Sequence, residues 1–232
     1  MAYGAIIRGD TTKKQIALVF TGDEFAEGGD IILKTLQQQK IKASFFFTGR
    51  FYRNSAFTQL IQQLRKEGHY LGAHSDQHLL YCDWTKRDSL LVNKEQFLTD
   101  LHNNYAIMQQ LGIRKRQAPY FLPPYEWYND SIAAWTKEAG LQLINYTPGT
   151  LSHTDYTTPD AKNYRDTKTI YQSIIDYENR SASGLNGFML LLHIGTDAKR
   201  TDKFYYRLDE LIRYLKNKNY KLVTVSQLLK TE

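Results

Sequence analysis

Short apolar runs alternate with stretches of helical periodicity along this chain, and that alternation restricts the fold more than any other feature. Runs at 16–20, 42–47, 70–73, 116–121, 141–145, 187–193 and 221–223 read as buried strands. Segments 31–39, 54–67, 89–111, 127–139, 167–180 and 204–216 read as helices, with a closing helical turn at 225–229. Gly68 and Gly112 stop two of the helices, Pro123 and Pro124 break the chain after the fourth strand, and 147–166 is a long polar loop. Strands alternating with helices imply a parallel sheet. About seven such units, with no linker or internal repeat, predict one α/β domain over residues 1–232, closed or nearly closed as a barrel. Such barrels carry their active sites at the C-terminal ends of the strands. The polar residues just past the strands are therefore the candidates: Asp23, Glu24, His74, His78, Tyr125, Glu126, Asp155 and His193.

Composition excludes several classes. A length of 232 residues with 42% apolar content supports a substantial core. The formal charge of +6 is scattered, and no Lys/Arg run is long enough for a nucleic-acid stripe, so no nucleic-acid partner is expected. The single cysteine, Cys82, excludes an intrachain disulfide and any multi-cysteine zinc site. No stretch resembles a signal peptide or a membrane-spanning helix. An extracytoplasmic setting, secreted or periplasmic, with the leader absent from this chain, is the expectation. The oligomeric state is not legible.

The segment His74-Ser75-Asp76-Gln77-His78 places two histidines four residues apart after a strand. One helical turn there would point both imidazoles the same way and present two nitrogen ligands to one metal ion. Solvated loop histidines at this spacing are the plain alternative. The wider context changes the balance. Residues 16–20, then Ile41-Lys42-Ala43-Ser44-Phe45-Phe46-Phe47-Thr48-Gly49, then His74-Ser75-x-x-His78, then Pro123-Pro124-Tyr125, then Leu190-Leu191-Leu192-His193 occur in order across nearly the whole chain.

In this the chain resembles the NodB-homology polysaccharide deacetylases, carbohydrate esterase family four. The resemblance implies a single distorted (β/α)7-type barrel with parallel strands, a divalent metal (zinc first, cobalt or nickel as alternatives), and hydrolysis of acetyl groups from a glycan. It assigns His74 and His78 to the metal and His193 to the general acid. Leu191 would line the acetyl pocket, and the Tyr125 main-chain N–H would help hold the oxyanion. Asp155-Tyr156 loosely matches the family's Asp-Trp segment, with Asp155 and Asp197 as candidates to tune His193. Trp127, Trp84 and Tyr156 are candidates to stack on sugar rings.

Two motifs depart from the family pattern. Where it reads Thr-Phe-Asp-Asp-Gly, this chain reads Val19-Phe20-Thr21-Gly22-Asp23. Aligned without a gap, Thr21 falls on the general base and Gly22 on the metal aspartate. The arginine that orients the base is replaced by Leu122. Losing the two together is physically coherent, because a buried arginine without its carboxylate is an unpaired charge. Two readings follow. In the favoured one the site is rebuilt: Asp23 joins His74 and His78 on the metal, and Glu24 or Glu126 serves as base, with Glu24 ahead. In the other, the barrel binds glycan without hydrolysing it. Asp76 and Asp83 are expected as caps or supports near the histidines. The substrate would be an N-acetylglucosamine-type polymer, peptidoglycan or acetylated xylan.

Overall fold

Gln15–Gly22 forms β1, the longest strand among the described residues, and every residue from Ile16 to Gly22 is buried. Burial on both faces is the mark of a parallel strand with helices on one side and the interior of a curled sheet on the other, and the unbroken Ile-Ala-Leu-Val-Phe run meets that demand. A computed structural model describes residues 1–230. After β1 come α1 (Gly29–Gln38), β2 (Ser44–Phe47), α2 (Gly49–Arg53), α3 (Thr58–Lys66), β3 (Tyr70–Ala73), α4 (Lys94–Gln110) and β4 (Tyr120–Phe121). The chain continues through α5 (Asp130–Glu138), β5 (Gln142–Leu143), α6 (Thr167–Arg180), β6 (Phe188–His193), α7 (Leu208–Asn217), β7 (Lys221–Leu222) and α8 (Val225–Leu228). All strand pairs are parallel, in the order β5-β4-β3-β2-β1-β6, and β7 pairs with the start of β1.

The α/β class with parallel strands is as expected, but the ladder does not run continuously around a barrel. Between β5 and β6 the N-terminal arm fills in. Ile6 bridges Ile144, the Gly9 N–H donates to the Gly187 carbonyl, and the Thr147 N–H donates to Met189. Arg8 pins this arm through bonds to the Asn186 and Gly184 carbonyls, Ser183 and Tyr177.

Helices cover the sheet through apolar faces, such as Leu208, Leu211, Ile212 and Leu215 of α7. Each such buried side chain contributes roughly 1.5–3 kcal/mol. Four helices, α3, α4, α5 and α7, start three to five residues later than their periodicity suggests. α4 begins at Lys94 because Asn93 and Gln96 form a reciprocal cap, while Leu90 pairs back with Cys82. α5 begins at Asp130, where Asn129 caps the Ile132 N–H; Trp127 and Tyr128 before it belong to the cleft lining instead. Since the strands run parallel, their C-terminal loops gather at one end of the sheet, and a cleft of about 850 Å³ opens there.

Candidate active site

β1 delivers Thr21, Gly22 and Asp23 to the cleft floor. Thr21 stands opposite His193 in the β1–β6 register, and its buried hydroxyl has no hydrogen-bond partner. Gly22 has no room for a side chain: a Cβ there would lie 2.8 Å from Ile194, 2.9 Å from Phe47 and 3.0 Å from Phe51. Asp23 is committed elsewhere. Its Oδ1 accepts from Thr48 Oγ1 at 2.8 Å and from Arg50 Nε at 3.1 Å, and its Oδ2 accepts from Arg50 Nη2 at 2.5 Å. Glu24 is exposed, with Arg50 Nη1 at 3.9 Å.

The histidine segment is no helical turn. Ser75 and His78 take positive φ angles of 73° and 55°, conformations that non-glycine residues adopt only when their surroundings impose them. Even so, the two rings come together, with centroids 5.1 Å apart. Asp100, buried on α4, imposes the turn: it accepts from the Ser75 hydroxyl, the Asp76 and Gln77 N–H groups and the Tyr81 hydroxyl. One helical turn on, Asn104 accepts from the His74 N–H and donates to the Phe47 carbonyl. Asp76 turns outward to Arg53 at 2.6 Å, against Gly49, where a Cβ would collide with its Oδ1. Asp83 closes its own turn through Thr85 and Lys86.

His74 Nδ1 lies 2.8 Å from the Leu122 carbonyl. A carbonyl can only accept, so Nδ1 carries the proton and Nε2 keeps its lone pair. Leu122 itself is buried in the core. Burial, with His78 and His193 nearby, holds the His74 ring neutral, its pKa lowered to about 3. Burial, with Arg50 and His193 nearby, lowers that of His78 to about 4. Two neutral imidazoles are suitable donors for zinc, cobalt or nickel. The third is missing, because both Asp23 oxygens are taken by Arg50 and Thr48. Among the described residues no group of three or more His, Cys, Asp or Glu side chains gathers around one point. The donor set falls one carboxylate short of the three-ligand centre implied by the resemblance.

The facing wall keeps its chemistry. His193 ends β6, and Asp155 holds it twice: Oδ1 lies 2.6 Å from Nδ1, and Oδ2 accepts the main-chain N–H at 3.0 Å. Burial alone would lower the His193 pKa, but the Asp155 charge and hydrogen bond outweigh it and the net shift is upward. Asp197 does not share this task; it accepts from the Lys199 N–H in its own loop. Glu126 lies close enough to His193 and Asp155 for their charges to act on it, and burial raises its pKa to about 7. It follows Tyr125 in a turn where both residues have positive φ, 57° and 53°. This turn is closed by bonds from Glu126 N–H to Pro123 and from Trp127 N–H to Pro124, neither of which uses the Tyr125 N–H.

The rim is aromatic. Tyr125 packs on His78 at 4.4 Å and on Trp84 at 5.6 Å, Trp84 on Trp127 at 5.6 Å, and Tyr156 on His193 at 4.7 Å. Leu191 is fully buried beside Val19 and is not among the residues lining the cleft. Three contributors escaped the sequence reading. Asp100 and Asn104 carry an i, i+4 signal on α4 that only the packed loop interprets. His153 lines the cleft, stacked on Tyr146 at 4.8 Å, from within the long polar loop.

Comparison with known proteins agrees with the fold. The sequence profile of the polysaccharide deacetylases matches residues 8–144. A peptidoglycan-N-acetylglucosamine deacetylase of Bacillus cereus is 27% identical over 220 residues, covering 94% of this chain and 89% of that protein. The YlxY protein of Bacillus subtilis is 26% identical over 97% of this chain, which spans 60% of YlxY's length. Among solved structures, the Bc1960 peptidoglycan N-acetylglucosamine deacetylase superposes with a TM-score of 0.75 at 20% identity, covering 99% of this chain and 94% of that one. A family-four pseudoenzyme from Bacillus anthracis superposes with a TM-score of 0.76 at 18% identity, covering 99% of this chain and 70% of that one. At those identities the likeness is one of fold.

Proposed function

The chain belongs to the polysaccharide deacetylase family, and from that premise we propose that its cleft removes acetyl groups from a glycan: Glu126 takes a proton from the water that attacks the acetyl carbon, and the His193–Asp155 pair gives one to the amine or alcohol whose bond to that carbon breaks. The observation that carries this reading is the half-buried Glu126 carboxyl within reach of the complete, hydrogen-bonded His193–Asp155 pair. A carboxyl with a pKa near 7 is half ionised at neutral pH and suited to take a proton from water. The His193 Nε2, with Nδ1 fixed by Asp155, gives a proton to the departing amine or alcohol. The Tyr125 N–H, unused by its own turn, is available to the oxyanion. Glu126 takes the base role in this reading, because Glu24 is exposed and turned to Arg50.

Support for a divalent ion, zinc ahead of cobalt or nickel, is limited to the His74 and His78 imidazoles. The exposed rings of Trp84, Tyr125 and Tyr156 suit pyranose faces. An N-acetylhexosamine polymer is the favoured substrate, given the activity named for the Bacillus cereus relative; acetylated xylan is the alternative. An extracytoplasmic site of action accords with a cell-wall glycan. No helix among the described residues is long and apolar enough to cross a membrane.

The engagement of Asp23 by Arg50, with Thr21 and Gly22 beside it, favours a second reading: a glycan-binding barrel without turnover. Acetate release from acetylated chito-oligosaccharides, peptidoglycan and acetylated xylan, with chelator or with added zinc or cobalt, separates the two. Release that is lost in His193→Ala supports the hydrolase. Glycan binding by folded protein with no release under any condition supports the binding barrel.

A further inference from the structure

Among the described residues lining the cleft, Arg87 is the only lysine or arginine, and the hydrolytic reading gives it no task. Its guanidinium lies 3.7 Å from the centroid of Trp127 and 4.1 Å from that of Tyr3, with Tyr128 at 5.8 Å. Its Nε is buried with no acceptor, and no described carboxylate forms an ion pair with it. Asp83, in the same loop, is already occupied by Thr85 and Lys86.

The platform is rigid. Trp127 Nε1 donates to the Asp83 carbonyl at 3.1 Å, and the Arg87 carbonyl accepts from Asn129 at 3.0 Å. Ring faces cover the faces of a guanidinium and leave its N–H edge, the part that matches a carboxylate in a two-bond fork. A cation fixed in place without an internal anion is costly unless a ligand supplies one.

We infer that the cleft contains a subsite for a carboxylate carried by the glycan, with Arg87 as its receptor. This rests on the glycan reading above and narrows it to an acidic polymer. Trp127 and Trp84 connect the subsite to Tyr125 and His78 through successive ring contacts, so the acidic group lies along the groove from the acetyl-bearing sugar. A single negative charge fits better than a phosphate dianion, because Asp23, Glu24, Glu126 and Asp197 line the same cleft. Two chemical sources carry such a group: a lactyl ether on an amino sugar and a uronic acid.

The test is calorimetric binding of matched oligosaccharides to the full chain and to Arg87→Gln. One pair carries a lactyl carboxylate or its reduced alcohol, and a second carries a uronate or its reduced alcohol. The acid should bind the wild type about tenfold more tightly than its alcohol in at least one pair, and the pair that shows it names the source. In Arg87→Gln that ratio should fall towards one, and Arg87→Lys should recover it only partly, since a lysine lacks the fork. Circular dichroism and melting of each variant confirm that the fold is intact. Equal affinity for acid and alcohol in the wild type, or a preference that survives in Arg87→Gln, overturns the subsite and leaves the glycan reading standing. Absence of binding to any oligosaccharide overturns both.

Discussion

The two walls of the cleft hold their ionisable groups in opposite ways. On one wall, Asp155 fixes His193 at the end of β6 through two hydrogen bonds, and the half-buried Glu126, from the turn after β4, has a proton affinity that suits neutral pH. On the β1 wall, Thr21 and Gly22 bring no charge, and Arg50 neutralises the Asp23 carboxylate that follows. The difference teaches that proton transfer and cation binding are separable in this fold. His193 ends β6 and the two histidine donors follow β3, each fixed by its own hydrogen bonds, so one set can be complete where the other lacks a ligand.

The largest effects should come from the intact wall. His193→Ala should lower acetate release by about 10²–10⁴-fold. Asp155→Asn, which keeps shape but removes the charge, should lose a comparable factor and shift the alkaline limb of the pH profile downward, since the raised His193 pKa depends on that charge. Steady-state rates across pH would check both, and a wild-type alkaline limb in Asp155→Asn would break the contrast between the walls.

Gly22→Asp tests the other wall. If only the missing carboxylate separated it from a metal centre, the substitution would supply one. Contacts with Ile194, Phe47 and Phe51 predict instead an overpacked site and a loss of about 1–3 kcal/mol in denaturant unfolding, with no gain in zinc affinity.

The half-buried Glu126 carboxyl has a stability signature of a size similar to that of Gly22→Asp. Its folded pKa, about 7, lies above the ordinary carboxylate value, so its protonated form stabilises the fold at low pH. That contribution is lost as pH rises from about 4.5 through 7. Glu126→Gln should therefore match the wild type at pH 4 and exceed it by about 1–3 kcal/mol at pH 8. Equal stability of the two at both pH values would remove burial as the cause of the shift.

Smaller effects belong to Arg50 and Thr21. Arg50→Gln should free Asp23 and tighten zinc binding by about fivefold, the scale of a half-exposed ion pair. Thr21→Asp alone should not raise the rate, because Leu122 offers no cation to orient the new carboxylate.

Much of this was legible in the sequence, for identifiable reasons. β1 and β6 are unbroken apolar runs because helices cover one face of the sheet and the curled sheet's own packed interior covers the other, and His193 ends such a run, where a polar side chain needs a partner. The pairing of His74 with His78 was readable from spacing, but the backbone that achieves it was not. Two left-handed residues replace the helical turn because Asp100, 19 to 25 positions along the chain, gathers the loop's donors. Asp23 looked free beside two histidines; Arg50, on α2, takes it through a contact that no local pattern announces. Gly22 looked like a lost ligand, and the packed Phe47, Phe51 and Ile194 show it to be a position without space.

The most direct test of the account is the pH dependence of acetate release by wild-type protein and Glu126→Gln on the best substrate from the panel. The account predicts a wild-type rate that climbs through about pH 7, as Glu126 ionises, and a variant whose rate is low and has lost that limb. A Glu126→Gln profile with the wild-type limb and rate would contradict it and return the base role to another group.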